Sequence, residues 1–307
     1  MSDGGGADNT RQRYVIIMPA RDESAFLPAT LDALARQTVL PLRCIIVDDG
    51  SSDTTGAIAA RAAGTHPWIQ VVTRADRGRR LVGPGVVDAF YAGMAAVKDL
   101  DYDYICKFDA DILIGTRYFE TLLGLFQRQP RLGSASGKVY MQRGDKLVPE
   151  RMSDEQVAGQ AKFYRRPCFE EIGGFIREVM WDVIDGHLAR MKGWDATSLD
   201  LPELRIVHQR LMGSSQGSVF QGRFRWGGGN YFIHAHPLYV FASSLYRMVE
   251  RPRVAGGLCI LAGYLWAAIS RRPRYGNCQF RRHLRAYQLK RLREFCSRSA
   301  GADRPLK

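Results

Sequence analysis

Four apolar runs in the first 108 residues each stop at polar residues, and a segment of helical spacing follows each of the first three. The runs are RYVIIMPARDE (13–23), LRCIIVDDGSSDTTG (42–56), WIQVVTR (68–74) and YICKF (104–108). Between them, Phe26, Leu27, Leu31 and Leu34 share one helical face, Ile58 and Ala62 mark a second helix, and VVDAFYAGMAAVKDL (86–100) is a third. Asp53 is placed to cap the second helix. This alternation confines the chain to an α/β architecture, a mostly parallel, doubly wound sheet flanked by helices.

In such sheets ligands bind beyond the carboxyl ends of the strands. The first strand delivers Ala20, Arg21, Asp22 and Glu23 to that edge, the second Asp48 and Asp49, the fourth Asp109 and Asp111. A buried, unpaired carboxylate is costly, so the pair after YICKF needs a counter-charge. Two carboxylates one residue apart, where a strand gives way to a loop, can turn toward one site. A hard divalent cation, Mg²⁺ or Mn²⁺, fits there, with phosphate oxygens and water filling its other positions. Such a cation stabilises the charge that grows on a departing nucleotide diphosphate. A lone Asp-x-Asp also describes two solvated loop aspartates. The apolar strand before it, and Asp48 and Asp49 at an earlier strand end, favour the site.

Beyond Gly133 the alternation fades. SASGKVYM reads as one strand, KFYRRPCFEEIGGF (162–175) as a helix and turn, and VMWDVIDGHLARMKGW as a helix with Asp182 and Asp185 near its start. LRIVHQR (204–210) is a short strand carrying His208, a metal- or diphosphate-binding candidate beside the commoner structural role. GSSQGSVFQGRFRWGGGNYF reads as a Gly-rich mobile loop whose Arg223, Arg225 and Trp226 can close over a diphosphate or an acceptor. AGGLCILAGYLWAAIS (255–270) is the most apolar stretch. It is shorter than the roughly 20 residues that span a bilayer, so it reads as a core helix or an interfacial one. The basic run after it, with Phe280, Leu284, Tyr287, Leu289 and Leu292 among the cations, suits an amphipathic helix on an anionic membrane surface.

The formal net charge of +13 asks for an anionic partner. The cations crowd the C-terminus beside an apolar helix and form no recognisable nucleic-acid module, so no nucleic acid is expected. Six cysteines without a CxxC pair indicate reduced thiols in a cytoplasmic protein and argue against a zinc site. Residues 1–12 read as a flexible tail without the apolar centre of a signal peptide.

VIIMPARDE, CIIVDDGSSDTTG and FDAD, in this order and spacing, resemble the family 2 nucleotide-sugar glycosyltransferases of the GT-A fold, from about Tyr14 to about Trp194. The resemblance implies a GT-A domain, placed over 13–240; from their apolarity and charge, residues 241–307 are expected to be an apolar helix plus a basic, membrane-associating helical extension. It implies that Pro19, Ala20, Arg21 and Glu23 form the first nucleotide-binding loop, that Asp48 reads the base with Asp49 beside it, and that Asp109, Ala110 and Asp111 are the metal motif, Asp111 as direct ligand. Arg79 and Arg80 fall in the segment expected to reach the diphosphate. The catalytic base lies about a dozen residues before a Gly-aromatic pair; counting back from Gly193-Trp194 lands on Asp182, preceded by Trp181 where the family has Glu, and Asp185 competes. QGRFRW (221–226) has one residue more than the Gln-x-x-Arg-Trp of processive members.

The implied activity is inverting, metal-dependent transfer of a sugar from a nucleotide-diphosphate sugar to an acceptor hydroxyl. The acceptor is expected to be lipid-linked or a surface polysaccharide, with the enzyme at the inner face of the membrane. A same-fold alternative, a nucleotidyltransferase, usually carries a Gly-rich loop directly after its first strand, where this chain has PARDE.

Overall fold

Strand β1 (Tyr14–Ala20) is buried almost along its full length, with Tyr14, Val15, Ile16 and Ile17 all inaccessible to solvent. A strand covered on both faces needs an unbroken apolar run, which is why YVIIM does not alternate. The structure, a computed structural model, describes residues 13–78, 81, 83–209, 218–249 and 252–301. The expected tail over 1–12 and the candidates Arg79 and Arg80 lie outside the described residues.

Helices α1 (Leu27–Ala35), α2 (Thr55–Thr65) and α3 (Pro84–Ala95) alternate with β2 (Arg43–Asp48), β3 (Ile69–Thr73) and β4 (Tyr104–Phe108). β1 pairs in parallel with both β2 and β4, and β2 with β3. In register, Ala20 faces Asp48 and Asp48 faces Thr73, so these strands end on one edge. Next come β5 (Ile112–Ile114), α4 (Tyr118–Arg128), β6 (Leu132–Gly137), β7 (Val139–Arg143), β8 (Lys146–Pro149), β9 (Ala161–Arg165) and α5 (Arg166–Glu171). They are followed by α6 (Trp181–Met191), β10 (Asp195–Leu199), β11 (Ile206–His208), α7 (Val219–Phe232), α8 (Pro237–Arg247), α9 (Arg253–Ile269) and α10 (Cys278–Gly301). The main sheet has the order β10-β6-β9-β4-β1-β2-β3, and a smaller sheet the order β5-β11-β7-β8.

Three sequence expectations change. Residues 162–165 are not helical: they form β9, antiparallel between β4 and β6, and the helix begins only at Arg166. SASGKVYM is two strands, because Gly137 ends β6 in the main sheet and Val139 opens β7 in the smaller one. The Gly-rich segment is helix α7 from Val219 onward. Its glycines permit close packing on α9: a Cβ at Gly227 would lie 2.0 Å from the Ile260 carbonyl oxygen, and one at Gly263 2.0 Å from that of Phe224. That packing overrides the poor helix propensity of glycine.

The chain forms two units, one of residues 1–79, 86–174 and 194–209, the other of 80–85, 175–193 and 210–307. The division differs from a boundary at residue 240. α6 packs with α10, and α7 with α9, so both earlier helices join the C-terminal unit. The core of the first unit is aromatic: Tyr14 stacks on Phe119 at 4.7 Å, and Phe163 on Tyr104 at 5.4 Å. The second unit centres on Ile184, Ile233, Val240, Phe280 and Leu284. Phe280 and Leu284 of α10 therefore face protein, contrary to the expectation that this helix turns its apolar side to a membrane. All six cysteines are free thiols, with Cys44, Cys106 and Cys168 buried.

Candidate active site

The loops after β1, β2 and β3 are joined by side chains from each. Arg21 donates from Nη1 to the Asp49 carbonyl and from Nη2 to Asp76 Oδ1, both at 2.6 Å. Its Nε is buried and has no hydrogen-bond partner among the described residues. The Arg21 guanidinium holds the Asp76 carboxyl below its ordinary range. Asp49 is buried and accepts from Arg74 at 2.5 Å and from Arg77, so two guanidiniums offset the cost of burying it. Gly50 adopts φ +72°, and a Cβ there would lie 2.5 Å from Asp76 Cα, so the turn after β2 needs glycine on both counts.

Asp48 Oδ1 accepts from the Ser51 amide at 3.0 Å, and its Oδ2 faces Gly56, where a Cβ would come within 2.6 Å. Pro19 and Ala20 end β1, and the Ala20 carbonyl accepts from the Asp49 amide at 2.8 Å. Glu23 is buried; its amide donates to Thr55 Oγ1 at 2.7 Å and its carbonyl starts α1 by accepting from Phe26 and Leu27. Asp53 ties the same two loops, accepting from the amides of Ser24 at 3.1 Å and Thr55 at 2.9 Å. Burial works against its charge, yet these hydrogen bonds lower its pKa to about 2. Asp53 thus lies one residue before the N-cap of α2, which is Thr54 and not Asp53 as the sequence suggested.

At the end of β4, Lys107 is buried and donates to the Gly159 carbonyl at 2.8 Å and to the Asp109 carboxylate. Burial raises the Asp109 pKa, against the pull of Lys107 and with a contribution from Asp111. The Ala110 carbonyl accepts from Thr30 Oγ1 at 2.9 Å, fixing the turn. Asp111 Oδ2 lies 3.2 Å from His208 Nε2, and the Asp111 carbonyl accepts from the Gln209 amide at 3.0 Å. The structure thus brings together Asp111 and His208, two residues named from sequence.

Sequence reasoning missed Glu150. Its carboxylate lies 4.0 Å from His208 Nδ1, and that nitrogen and both Glu150 oxygens are buried without a hydrogen-bond partner among the described residues. Nothing local in the sequence marks this residue, since only the return of β8 and β11 to one sheet brings it there. Burial disfavours the charged His208 ring, but Asp111 and Glu150 outweigh it and push its pKa up to about 9.

Among the described residues no three His, Cys, Asp or Glu side chains gather as a metal-binding group. The donors at hand are the Asp111 carboxylate and the His208 imidazole, with Asp109 held by Lys107. Such a set fits a hard divalent ion that takes most of its positions from phosphate and water. The orphaned His208 Nδ1 fits the same role, because a carboxylate behind a ligating histidine fixes its tautomer.

The remaining candidates lie in the second unit. Asp182 is half-buried in the first turn of α6, while Asp185 is buried and accepts from the Gly186 amide at 2.5 Å. Trp226 on α7 is covered by Arg247 at 4.1 Å and Arg223 at 5.4 Å from its ring centroid. Arg225 sits on the same helix, which replaces the mobile loop expected for all three. His234 and His236, also in this unit, contact backbone: His234 meets the Tyr275 carbonyl at 3.0 Å and His236 Nδ1 accepts from the Leu238 amide at 3.3 Å.

The model of glycosyl transferase family 2 matches residues 15–187, more than half of the chain. A 4,4'-diaponeurosporenoate glycosyltransferase of Staphylococcus haemolyticus is 30% identical over 132 residues, 43% of this chain and 33% of the relative. An undecaprenyl-phosphate mannosyltransferase of Micrococcus luteus is 31% identical over 137 residues, 45% of this chain and 49% of the relative. The chain thus spans half or less of the length of these curated relatives. The mannosyltransferase PcManGT from Pyrobaculum calidifontis, solved with GDP-Man and Mn²⁺, superposes with a TM-score of 0.53 at 18% identity, over 92% of this chain and 86% of the other. TarS of S. aureus, solved with UDP-GlcNAc, gives 0.52 at 16% identity, over 84% and 73%. At these identities the likeness shows the fold, which is GT-A. On the strength of the family match, the chain belongs to glycosyl transferase family 2.

Proposed function

We propose that the protein transfers one sugar from a nucleotide-diphosphate sugar to an acceptor hydroxyl, with inversion and with Mg²⁺ or Mn²⁺ bound. One observation carries the reading. The loops after β1, β2 and β3, joined by Arg21, Asp49 and Asp76, follow strands that end on the same edge as β4, after which Asp111 meets His208.

In this reading the backbone from Pro19 to Arg21, with Glu23 and Asp48, holds base and ribose. Asp49 keeps that loop in place through Arg74 and Arg77. Asp111 and His208, with Asp109 and Ala110 setting the turn, hold the cation. When bound, the cation neutralises the diphosphate and stabilises it as a leaving group. Asp182 takes the proton from the acceptor hydroxyl. Its half-buried place in the first turn of α6 suits a group that must meet a substrate, whereas Asp185 is sealed from solvent. Arg79, Arg80, Arg223, Arg225 and Trp226 are assigned to the diphosphate or the acceptor.

The name of the Micrococcus luteus relative includes undecaprenyl phosphate. The acceptor here is read accordingly as lipid-linked, or as a growing surface polysaccharide, met at the cytoplasmic face of an anionic membrane. No helix among the described residues is long and apolar enough to cross a membrane, so the association would be peripheral.

A thermal-shift panel of nucleotide diphosphates and nucleotide sugars, with and without Mn²⁺, tests the donor half. The true donor stabilises by mass action, and more so with the metal. If no nucleotide sugar shifted the melting temperature under either condition, or if Asp111→Asn transferred sugar at the wild-type rate, the proposal would be wrong.

A further inference from the structure

Helix α9 carries two faces of opposite character. Gly256, Gly257, Ile260, Gly263 and Ala267 are buried. Val254, Leu258, Leu265, Trp266 and Ile269, at helical spacing on another face, are exposed, Ile269 to 77% and Trp266 to 54%. A helix packed on one side of a water-soluble protein ordinarily turns polar residues outward. Here the outward residues are aliphatic or aromatic.

Helix α8, which packs against α9, repeats the arrangement. Val240 and Ser244 are buried, while Leu238, Phe241, Leu245 and Tyr246 are exposed, Leu238 to 62%. Two neighbouring helices thus each present an apolar stripe. Clusters of exposed apolar side chains on neighbouring helices mark an interaction site.

Charge selects the occupant. Between Glu250 and Glu294 the sequence has eleven Arg and Lys and no acidic residue. Arg253 opens α9, and Arg271 and Arg272 follow its end; all three are exposed and none has an ion-pair partner among the described residues. Apolar faces carrying Trp, Tyr and Phe, bordered by uncompensated arginines, match the boundary layer of an anionic bilayer. The α9 helix has 17 residues, about 26 Å of length, and its packed face of glycines excludes lipid.

We propose that the exposed faces of α8 and α9 together form an in-plane docking surface for an anionic lipid bilayer. This deepens the membrane-contact part of the reading above and rests on it, but it is independent of sugar transfer. It takes up the interfacial alternative that the sequence left open for 255–270, adds α8 to it, and drops the apolar side of α10, whose Phe280 and Leu284 are buried.

Flotation of the full chain with mixed phosphatidylcholine–phosphatidylglycerol vesicles and with pure phosphatidylcholine vesicles tests it. The wild type should float with the mixed vesicles and much less with the pure ones. Leu265→Ser with Ile269→Ser, and separately Phe241→Ser with Leu245→Ser, should each lower partitioning at least about tenfold with circular dichroism unchanged. Arg271→Gln with Arg272→Gln should act like added salt. If the wild type floats and both face variants float equally well, the α8–α9 assignment is overturned while membrane contact stands. If the wild type stays behind, membrane contact itself fails. If sedimentation shows a dimer that the face variants dissociate, and vesicles do not compete for it, the face joins two copies and the proposal is overturned. Should the variants melt lower, the Trp266 emission decides. A blue shift of the wild type in mixed vesicles that is absent from Trp266→Phe supports insertion, and no shift overturns it.

Discussion

His208 Nε2 lies 3.2 Å from Asp111 Oδ2, joining two side chains 97 residues apart in sequence. The Nδ1 edge of the ring turns to Glu150, whose carboxylate has no hydrogen-bond partner among the described residues. Asp111 and Glu150 thus flank the imidazole.

Glu150 should therefore act through His208. Glu150→Gln is expected to weaken Mn²⁺ binding by about 10- to 100-fold, the usual cost of removing a carboxylate behind a ligating histidine. Titration calorimetry of the variant with Mn²⁺ and the nucleotide diphosphate reads this directly. Equal affinity for both proteins would leave Glu150 with no part in holding the ion.

The two α6 carboxylates should separate by experiment. Asp182→Asn is expected to lower kcat by about 10²- to 10⁴-fold, the range for losing a general base, while the melting temperature holds. Asp185→Asn should lower the melting temperature instead, since it alters a buried residue. The opposite pattern would make Asp185 the base.

Asp53 supplies a pH test. Its folded pKa of about 2 lies below the ordinary carboxylate value of 3.8, so its contribution to stability is present above pH 3.8 and is lost as pH falls through about 2. Asp53→Asn should flatten the acid limb of the unfolding profile in that window. An unchanged limb would mean that the hydrogen bonds to Ser24 and Thr55 do not survive in solution.

Gly263 should tolerate no side chain. Gly263→Val would drive atoms into the Phe224 carbonyl, and overpacking of this kind costs about 1–3 kcal/mol. Chemical denaturation monitored by tryptophan fluorescence should show the loss. Wild-type stability would mean that α7 and α9 pack more loosely than their glycines indicate.

The strands β1 and β2 were legible because each, buried on both faces, is an unbroken apolar run that stops at the edge where the loops begin; β4 is apolar but for Lys107, and β3, at the sheet's edge, shows itself by Ile69, Val71 and Val72. Asp111 and His208 were legible as types in context, a carboxylate after a strand and a histidine ending one. Glu150 was not, because only the pairing of β11 with β7 and of β7 with β8 brings it near His208. β9 was missed because its Lys162 lies wholly buried, which no alternation rule anticipates. α7 was missed because local propensity disfavours it, and only its fit to α9 decides the outcome.

The place of β9 bears on how the chain folds as it is made. Among the described residues β9 alone joins β4 to β6, and β10 attaches only through β6. When the ribosome has finished β4, that strand has an open edge, and its partner comes about fifty residues later. At common synthesis rates the nascent sheet waits about 3–10 s with unsatisfied backbone along Tyr104–Phe108. Translation speed through residues 109–160 therefore sets how long a wrong strand can capture that edge.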